Sequence, residues 1–237
     1  MKKGIVVGCN KNLQWLLPWW WERYSYFCSL PVVFFDFGMT EEGLDFCKAR
    51  GEVVTLEEID PSHFSSETPL WSECYGKTYE TARQGWFKKP LALAASPFEI
   101  SLWLDLDCEV LADVDPIFQY ATYGPFIALT REYTRCMEPY AVYNGGVILY
   151  RKNTPLIELF AREALVMAKD FWGDDRLLSF LIDREQFPVI EMDPICNWRY
   201  GQGIPAQAFI LHWSGEWGKK YIKQFGGLFP FLRGSTL

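Results

Sequence analysis

A chain of 237 residues with 49% hydrophobic content can bury one core of α/β size and leaves little room for two. Its formal net charge of -7, from 23 basic and 30 acidic residues, excludes a general attraction to nucleic-acid phosphates or anionic lipid, so a phosphate-bearing ligand has to be held locally. Seven cysteines (9, 28, 47, 74, 108, 136 and 196) form no pair at metal-ligand spacing, which suits a reducing compartment and small core residues better than a disulfide framework.

The basic start at Lys2 and Lys3 is followed by an apolar stretch, Ile5 to Cys9, that is far too short for the core of a signal peptide. The longest uncharged run, Tyr200 to Gly215, is broken by Gly, Gln and Pro and falls short of a spanning helix. Together these predict a cytoplasmic protein without a transmembrane segment. The aromatic excess (11 Trp, 12 Tyr, 18 Phe) includes Trp19-Trp20-Trp21 and a tail of Tyr221, Phe225, Phe229 and Phe231 among basic residues. Most of these side chains are expected in the core, and the remainder offer a sugar-stacking wall, a partner surface or, in the tail, a peripheral membrane contact.

In chain order, short apolar runs alternate with amphipathic stretches, the pattern of a mostly parallel sheet flanked by helices. Ile5 to Val7 reads as the first strand, and residues 12–28 carry apolar side chains at helical spacing interrupted by Pro18. Pro31 to Phe35 supplies a second strand. Thr40 caps a helix with Glu41 and Glu42 in its first turn and Gly51 past its basic end, and Glu52 to Leu56 forms a third strand. Residues 57–85 show no period and read as a long loop for acceptor binding.

Pro90 then opens a compact helix, Leu91 to Ala95, before Ile100 to Leu104, a strand apolar on both faces and therefore central. A helix follows Pro116, strands follow at Phe126 to Thr130 and Gly146 to Tyr150, and helices at 154–169 and 174–183. A last strand, Ala208 to Leu211, runs into His212. No repeat or linker divides the chain, so residues 1–237 are expected to form one domain.

The buried strand ends in Asp105-Leu106-Asp107. Two carboxylates there cannot stay unpaired, since desolvation costs several kcal/mol each. In extended chain, i and i+2 point the same way about 6 to 7 Å apart, so both can converge on one hard cation, Mn²⁺ or Mg²⁺. Asp113-Val114-Asp115 is an internal control: it follows no buried strand, precedes Pro116, and reads as a helix cap. The second signal is His212-Trp213-Ser214-Gly215 with Lys219 and Lys220 behind it. Neutral imidazole is a good ligand, glycine lets backbone approach a phosphate, and the lysines can meet its charge. His63, in the irregular loop, is assigned a structural role.

With Asn144 to Val147 (Asn-Gly-Gly-Val), these segments resemble the A-type fold of nucleotide-sugar glycosyltransferases, and are most similar to glycosyltransferase family eight, the glycogenin and galactosyltransferase-like group. The resemblance runs from Ile5 to Lys220. It implies a Rossmann-like mostly parallel sheet, a nucleotide-sugar donor (a uridine diphosphate sugar), manganese, and retention at the anomeric carbon. It further implies that Asp105, Asp107 and His212 bind the metal, that Lys88, with Lys89 as neighbour, contacts the donor, and that Asn144, Gly145 and Gly146 line the sugar site. Gly215 with Lys219 or Lys220 would meet the diphosphate, and Gly8, Cys9 and Asn10 the nucleotide base.

Two departures stand out. The family's lysine three residues past the glycine is here Gly218, with Lys219 and Lys220 following, and its Asp-Gln-Asp appears as Gly173-Asp174-Asp175. Asp174 or Asp175 would orient the sugar or support the oxocarbenium-like centre; the alternative is that both are first-turn helix acids. The acceptor, whether carbohydrate, lipid or protein, is not specified by the residues. Two other functions stay open at this level. One is a haloacid-dehalogenase-like phosphatase with Asp105 as nucleophile, although Glu109 stands where that pattern wants Thr or Val. The other is a non-catalytic carbohydrate- or nucleotide-binding module.

Overall fold

The structure is a computed structural model and describes residues 2–57, 59–64, 79–132, 139–203 and 207–229. Seven strands form one sheet: β1 (Lys3–Cys9), β2 (Val32–Asp36), β3 (Glu52–Thr55), β4 (Ile100–Leu104), β6 (Ile127–Arg131), β7 (Tyr143–Arg151) and β8 (Ile190–Glu191), in the order β3-β2-β1-β4-β7-β6-β8. The β3-β2-β1-β4 half is parallel throughout, and β7 runs antiparallel to both β4 and β6. All five residues of β4 are buried, as its two-faced apolar run requires of a strand covered on both sides.

A second sheet of three short strands, β5 (Cys108–Val110), β9 (Trp198–Arg199) and β10 (Ile210–His212), has the order β5-β10-β9. None of β5, β8 and β9 is predicted above, because two- and three-residue strands carry no readable period. One core cluster holds Ile5, Val7, Trp20, Leu102 and Leu104, the other Val6, Phe87, Trp103, Ile148 and Leu177, so alternate residues of β1 and β4 face opposite layers.

The helices are α1 (Leu16–Phe27), α2 (Glu41–Lys48), α3 (Tyr79–Ala94), α4 (Pro155–Met167), α5 (Asp174–Arg184) and α6 (Gly215–Phe225). Thr40 caps α2 through its side chain, which accepts from the Gly43 N–H. Pro18 lies in the first turn of α1, where its missing N–H has no intrahelical partner to lose, so it does not interrupt the helix. Pro90 is a correction: it does not open a helix but lies inside α3, which begins eleven residues earlier at Tyr79. The expected loop at 57–85 is thus shorter, with a helical turn at Pro61–Phe64 and the start of α3, while 65–78 lies outside the described residues. After Asp113-Val114-Asp115 comes a short 3-10 helix, Asp115–Tyr120, whose cap position is Val114 with no side-chain cap. Asp113 instead closes a local turn, its Oδ1 accepting from the Asp115 N–H at 2.9 Å.

The aromatic residues pack largely against one another. Trp20 stacks on Tyr24 with ring centroids 4.9 Å apart, Tyr221 on Trp213 at 4.5 Å, and Phe229 lies edge-on to Tyr26 and Phe27. Phe231 falls outside the described residues, as do Cys74 and Cys136; the five described cysteines are free thiols.

The carboxyl-terminal segment is pinned by Glu109. Its carboxylate is fully buried and accepts from Trp213 Nε1 at 2.8 Å, Leu228 N at 2.9 Å, Phe229 N at 2.8 Å and Arg23 Nε at 3.4 Å. Gly227, at φ +83°, is the residue that lets the chain pass, since a Cβ there would lie 2.5 Å from a Glu109 oxygen.

Candidate functional site

Backbone pairing brings the two sequence signals together. After Leu104 the chain turns, with the Cys108 N–H donating to the Asp105 carbonyl at 3.0 Å, and enters β5, which pairs with β10 so that Cys108 sits opposite His212. The Trp213 N–H donates to the Asp107 carbonyl at 2.9 Å, and the Asp105 N–H to the Gly146 carbonyl at 2.9 Å. The acidic turn is therefore stitched to both the histidine strand and β7.

This turn also corrects the expected geometry of the two aspartates. Because the strand stops at Leu104, Asp105 and Asp107 lie in a turn rather than in extended chain, and each carboxylate has its own partners. Asp107 faces His212, Oδ1 to Nε2 at 3.4 Å, and its Oδ2 accepts from Lys219 Nζ at 2.5 Å. Asp105 instead faces Lys89 Nζ, 3.1 Å from Oδ1, and accepts from Trp103 Nε1 at 2.7 Å. Burial alone would raise the Asp107 carboxyl, but the Lys219 charge beside it outweighs burial and holds it well below the usual carboxylate range.

A network behind the imidazole fixes its orientation. Asn144 Oδ1 lies 3.1 Å from His212 Nδ1 and accepts from the Gly146 N–H at 2.9 Å and from Asn197 Nδ2 at 2.8 Å. An amide oxygen that accepts everywhere needs a proton on Nδ1, which leaves the Nε2 lone pair directed toward Asp107. Asn144 Nδ2 in turn donates to Glu132, which is ion-paired with Arg199. Gly146 is required sterically, since a Cβ there would lie 2.3 Å from the His212 ring.

The donor set suits a divalent ion. Two ligand atoms each about 2.1 Å from one ion at a right angle are about 3 Å apart, close to the Asp107–His212 separation. Asp107, Cys108 and His212 form the one cluster of metal-binding side chains found among the described residues. The Cys108 thiol, however, donates to the Gly146 carbonyl at 3.5 Å, and burial pushes its pKa well up, so it is a poor ligand for an oxygen-preferring cation.

On the other side of Asp105, Lys89 rather than Lys88 is the buried cation. Its Nζ lies 2.9 Å from Asp174 Oδ2 and 3.0 Å from the Gly145 carbonyl it donates to. Burial disfavours its charge, yet the Asp105 and Asp174 carboxylates outweigh burial and raise its pKa. Lys88 donates to the Phe37 carbonyl at 3.2 Å instead. Asp174 is pushed up to about 6, first by burial and then by the charges of Asp175 and Asp105 against the opposing pull of Lys89. Burial raises Asp175 as well.

Two cavities meet at this centre, and Trp86, Lys89, Asp105, Asp107 and Lys219 line both. The larger, about 420 Å³, extends past Gly8, Asn10 and Phe37 and along Lys219, Lys220 and Lys223 of α6. Gly8 leaves room there for the stacked Phe37 and Trp103 rings, 6.4 Å apart. Cys9 does not belong to it: alternation along β1 turns its side chain into the core. The smaller cavity, about 230 Å³, is lined by Asn144, Gly145, Gly146, Asp174, Asp175 and Gly215, among others.

Lys219 thus reaches the centre while Lys220 lies at the larger cavity, 3.9 Å from Glu216 and over the Trp217 ring. Gly218 explains the shift of the lysine, because a Cβ at that position would lie 2.0 Å from the Trp213 carbonyl oxygen. Glu132, Asn197, Arg199, Trp86 and Arg176 are absent from the sequence reading; none sits in a pattern that spacing alone would mark.

No family model and no curated protein sequence matches this chain. Among solved structures it is similar to the galactosyltransferase LgtC, with a TM-score of 0.63 at 13% identity, covering 98% of this chain and all of that one. It is similar to mouse xyloside xylosyltransferase 1 (TM-score 0.57, 14% identity, 90% and 97% covered). It also resembles the glycosyltransferase GlyE of Streptococcus pneumoniae TIGR4 (TM-score 0.62, 14% identity), covering 91% of this chain and 56% of that one. The chain has the A-type glycosyltransferase fold. No helix among the described residues is long and apolar enough to cross a membrane.

Proposed function

We propose that this chain is a metal-dependent glycosyltransferase that moves a sugar from a uridine diphosphate sugar to an acceptor, with retention at the anomeric carbon. The observation that carries the reading is the 3.4 Å approach of His212 Nε2 to Asp107 Oδ1 where two cavities meet, in an A-type fold. Asp107 and His212 would hold Mn²⁺ or Mg²⁺, with Asp105 as third ligand. Bound there, the ion supplies Lewis-acid stabilisation of charge on the departing diphosphate.

The chain's own groups account for the remaining steps. Lys219 Nζ, now on Asp107, supplies a cation at the junction for the diphosphate, and Lys220 and Lys223 add charge along the larger cavity. Gly8, Asn10 and the Phe37–Trp103 stack offer the surface for the base. Lys89 holds Asp105 and Asp174 in place, and Asp174 and Asp175 orient the sugar in the smaller cavity. The phosphatase alternative loses ground because Asp105, its required nucleophile, is tied to Trp103 and Lys89. Slow manganese-dependent hydrolysis of a uridine diphosphate sugar, lost in Asp107→Asn, is the expected activity. A hydrolysis rate equal in the variant, or none with any nucleotide sugar, would defeat the proposal and favour a binding module.

A further inference from the structure

The two aspartates proposed to hold the ion are each faced by a lysine. Lys89 Nζ lies 3.1 Å from Asp105 Oδ1, and Lys219 Nζ lies 2.5 Å from Asp107 Oδ2. The two lysines are not held alike. Lys89 is buried, lies 2.9 Å from Asp174 Oδ2 as well, and donates to the Gly145 carbonyl at 3.0 Å, so three oxygens fix it. Lys219 stands on α6 with its side chain 25% exposed, at the junction that lines both cavities. Between Lys219 and Asp107, the carboxylate is the stationary member: the Asp107 carbonyl accepts from the Trp213 N–H at 2.9 Å, and its side chain is only 9% exposed. Lys219, a compact charge on a flexible stem, is the member able to move.

An ion bound by Asp107 Oδ1 and His212 Nε2 would be a second cation on a carboxylate that Lys219 neutralises. Where little water screens them, two like charges on one carboxylate repel strongly. Hard cations such as Mg²⁺ are held by one or two carboxylates together with substrate phosphates. A diphosphate arriving at the junction brings the negative charge that the ion needs, and it offers the Lys219 ammonium a partner other than Asp107.

Resting on the transferase reading above, we propose that Lys219 is an internal counter-ion that competes with the divalent cation for Asp107, and that the nucleotide diphosphate relieves the competition by drawing the ammonium onto itself. Lys219 then couples the two ligands, so that the ion binds weakly by itself and firmly with the nucleotide. Direct contact between ion and diphosphate couples them too. The discriminating quantity is therefore the effect of Lys219 on the ion alone.

The test measures Mn²⁺ affinity by electron paramagnetic resonance, without nucleotide and with saturating UDP, in wild type, Lys219→Gln and Lys219→Arg. Without UDP, Lys219→Gln is expected to bind Mn²⁺ about tenfold more tightly than wild type, within the usual range of coupling between two sites. Lys219→Arg keeps the charge and should stay close to wild type. With UDP the gain in Lys219→Gln should vanish, because the wild-type lysine has then left Asp107 for the diphosphate. The factor by which UDP raises Mn²⁺ affinity thus falls about tenfold in Lys219→Gln, and calorimetry of UDP with and without Mn²⁺ must return the same factor. Unchanged or weaker Mn²⁺ binding by Lys219→Gln without UDP, a gain that persists with UDP, or an equal gain in Lys219→Arg overturns the inference while the transferase reading stands. If none of the three proteins binds Mn²⁺, with or without UDP, both fall together.

Discussion

Replacing Glu109 with Gln would test how the site is held. The substitution keeps the side-chain shape but exchanges one acceptor oxygen for an NH₂ that cannot accept. Each Glu109 oxygen serves two donors, Trp213 Nε1 and Leu228 N on one, Arg23 Nε and Phe229 N on the other. Either orientation of the amide therefore leaves two buried donors unsatisfied, at about 1–3 kcal/mol each. It also takes from Arg23 the buried one of its two counter-charges; removing one partner of a buried pair costs about 3–5 kcal/mol. Glu22, 2.8 Å from Arg23 Nη1, keeps the loss toward the lower part of that range. The two estimates overlap and describe the same loss, so we expect about 3–5 kcal/mol in urea denaturation. For a chain of this size that corresponds to a fall in melting temperature of about 6–20 °C. Because Glu109 pins Trp213 and the segment after α6, nucleotide affinity should weaken along with stability. A loss under about 1 kcal/mol, with nucleotide binding intact, would refute the view that this buried carboxylate anchors the site.

Three further predictions concern the centre itself. Asn144→Leu removes the acceptor that fixes the imidazole, and Mn²⁺ affinity measured by electron paramagnetic resonance should fall about tenfold to hundredfold, the usual cost of losing a ligand's hydrogen-bond partner; an unchanged affinity would deny Asn144 that role. For Asp174, the neutral form is favoured in the fold. Its stabilising contribution is therefore largest below the unfolded value of about 3.9 and is lost as pH rises to about 6, on the order of 3 kcal/mol. Denaturation of wild type and Asp174→Asn across that window should show the wild type losing stability relative to the variant, and parallel curves would contradict it. Gly218→Ala places a methyl against the Trp213 carbonyl and should cost about 1–3 kcal/mol; a neutral effect by thermal melting would remove our reason for the displaced lysine.

Much of the architecture was legible because it rests on long-range rules. The two-faced apolar run of Ile100 to Leu104 marked a central strand, and Thr40 with Glu41 and Glu42 marked α2. The site was legible where strand ends carry polar residues: Asp107 and His212 do meet. What failed depended on tertiary context. Asp105 and Asp107 read as a strand pair, but they lie in the turn to Cys108, and that turn is imposed by pairing with β10 and β7, residues more than 35 positions away. Pro90 read as a helix start because its ring removes a donor, yet packing keeps α3 continuous through it and swings Lys89, not Lys88, into the interior. Cys9 was placed at the site by proximity in sequence, although β1 alternation turns it inward. Glu132 and Arg199 gain their significance only from each other, which no single-residue signal can announce.

The most direct test of the central claim is anomalous diffraction at the manganese edge from crystals grown with Mn²⁺ and UDP. The account predicts one strong peak ligated by the Asp107 carboxylate and His212 Nε2, with Asp105 in the same coordination sphere and the diphosphate alongside. Bound UDP with no peak between those two side chains, or an imidazole turned away from Asp107, would contradict it.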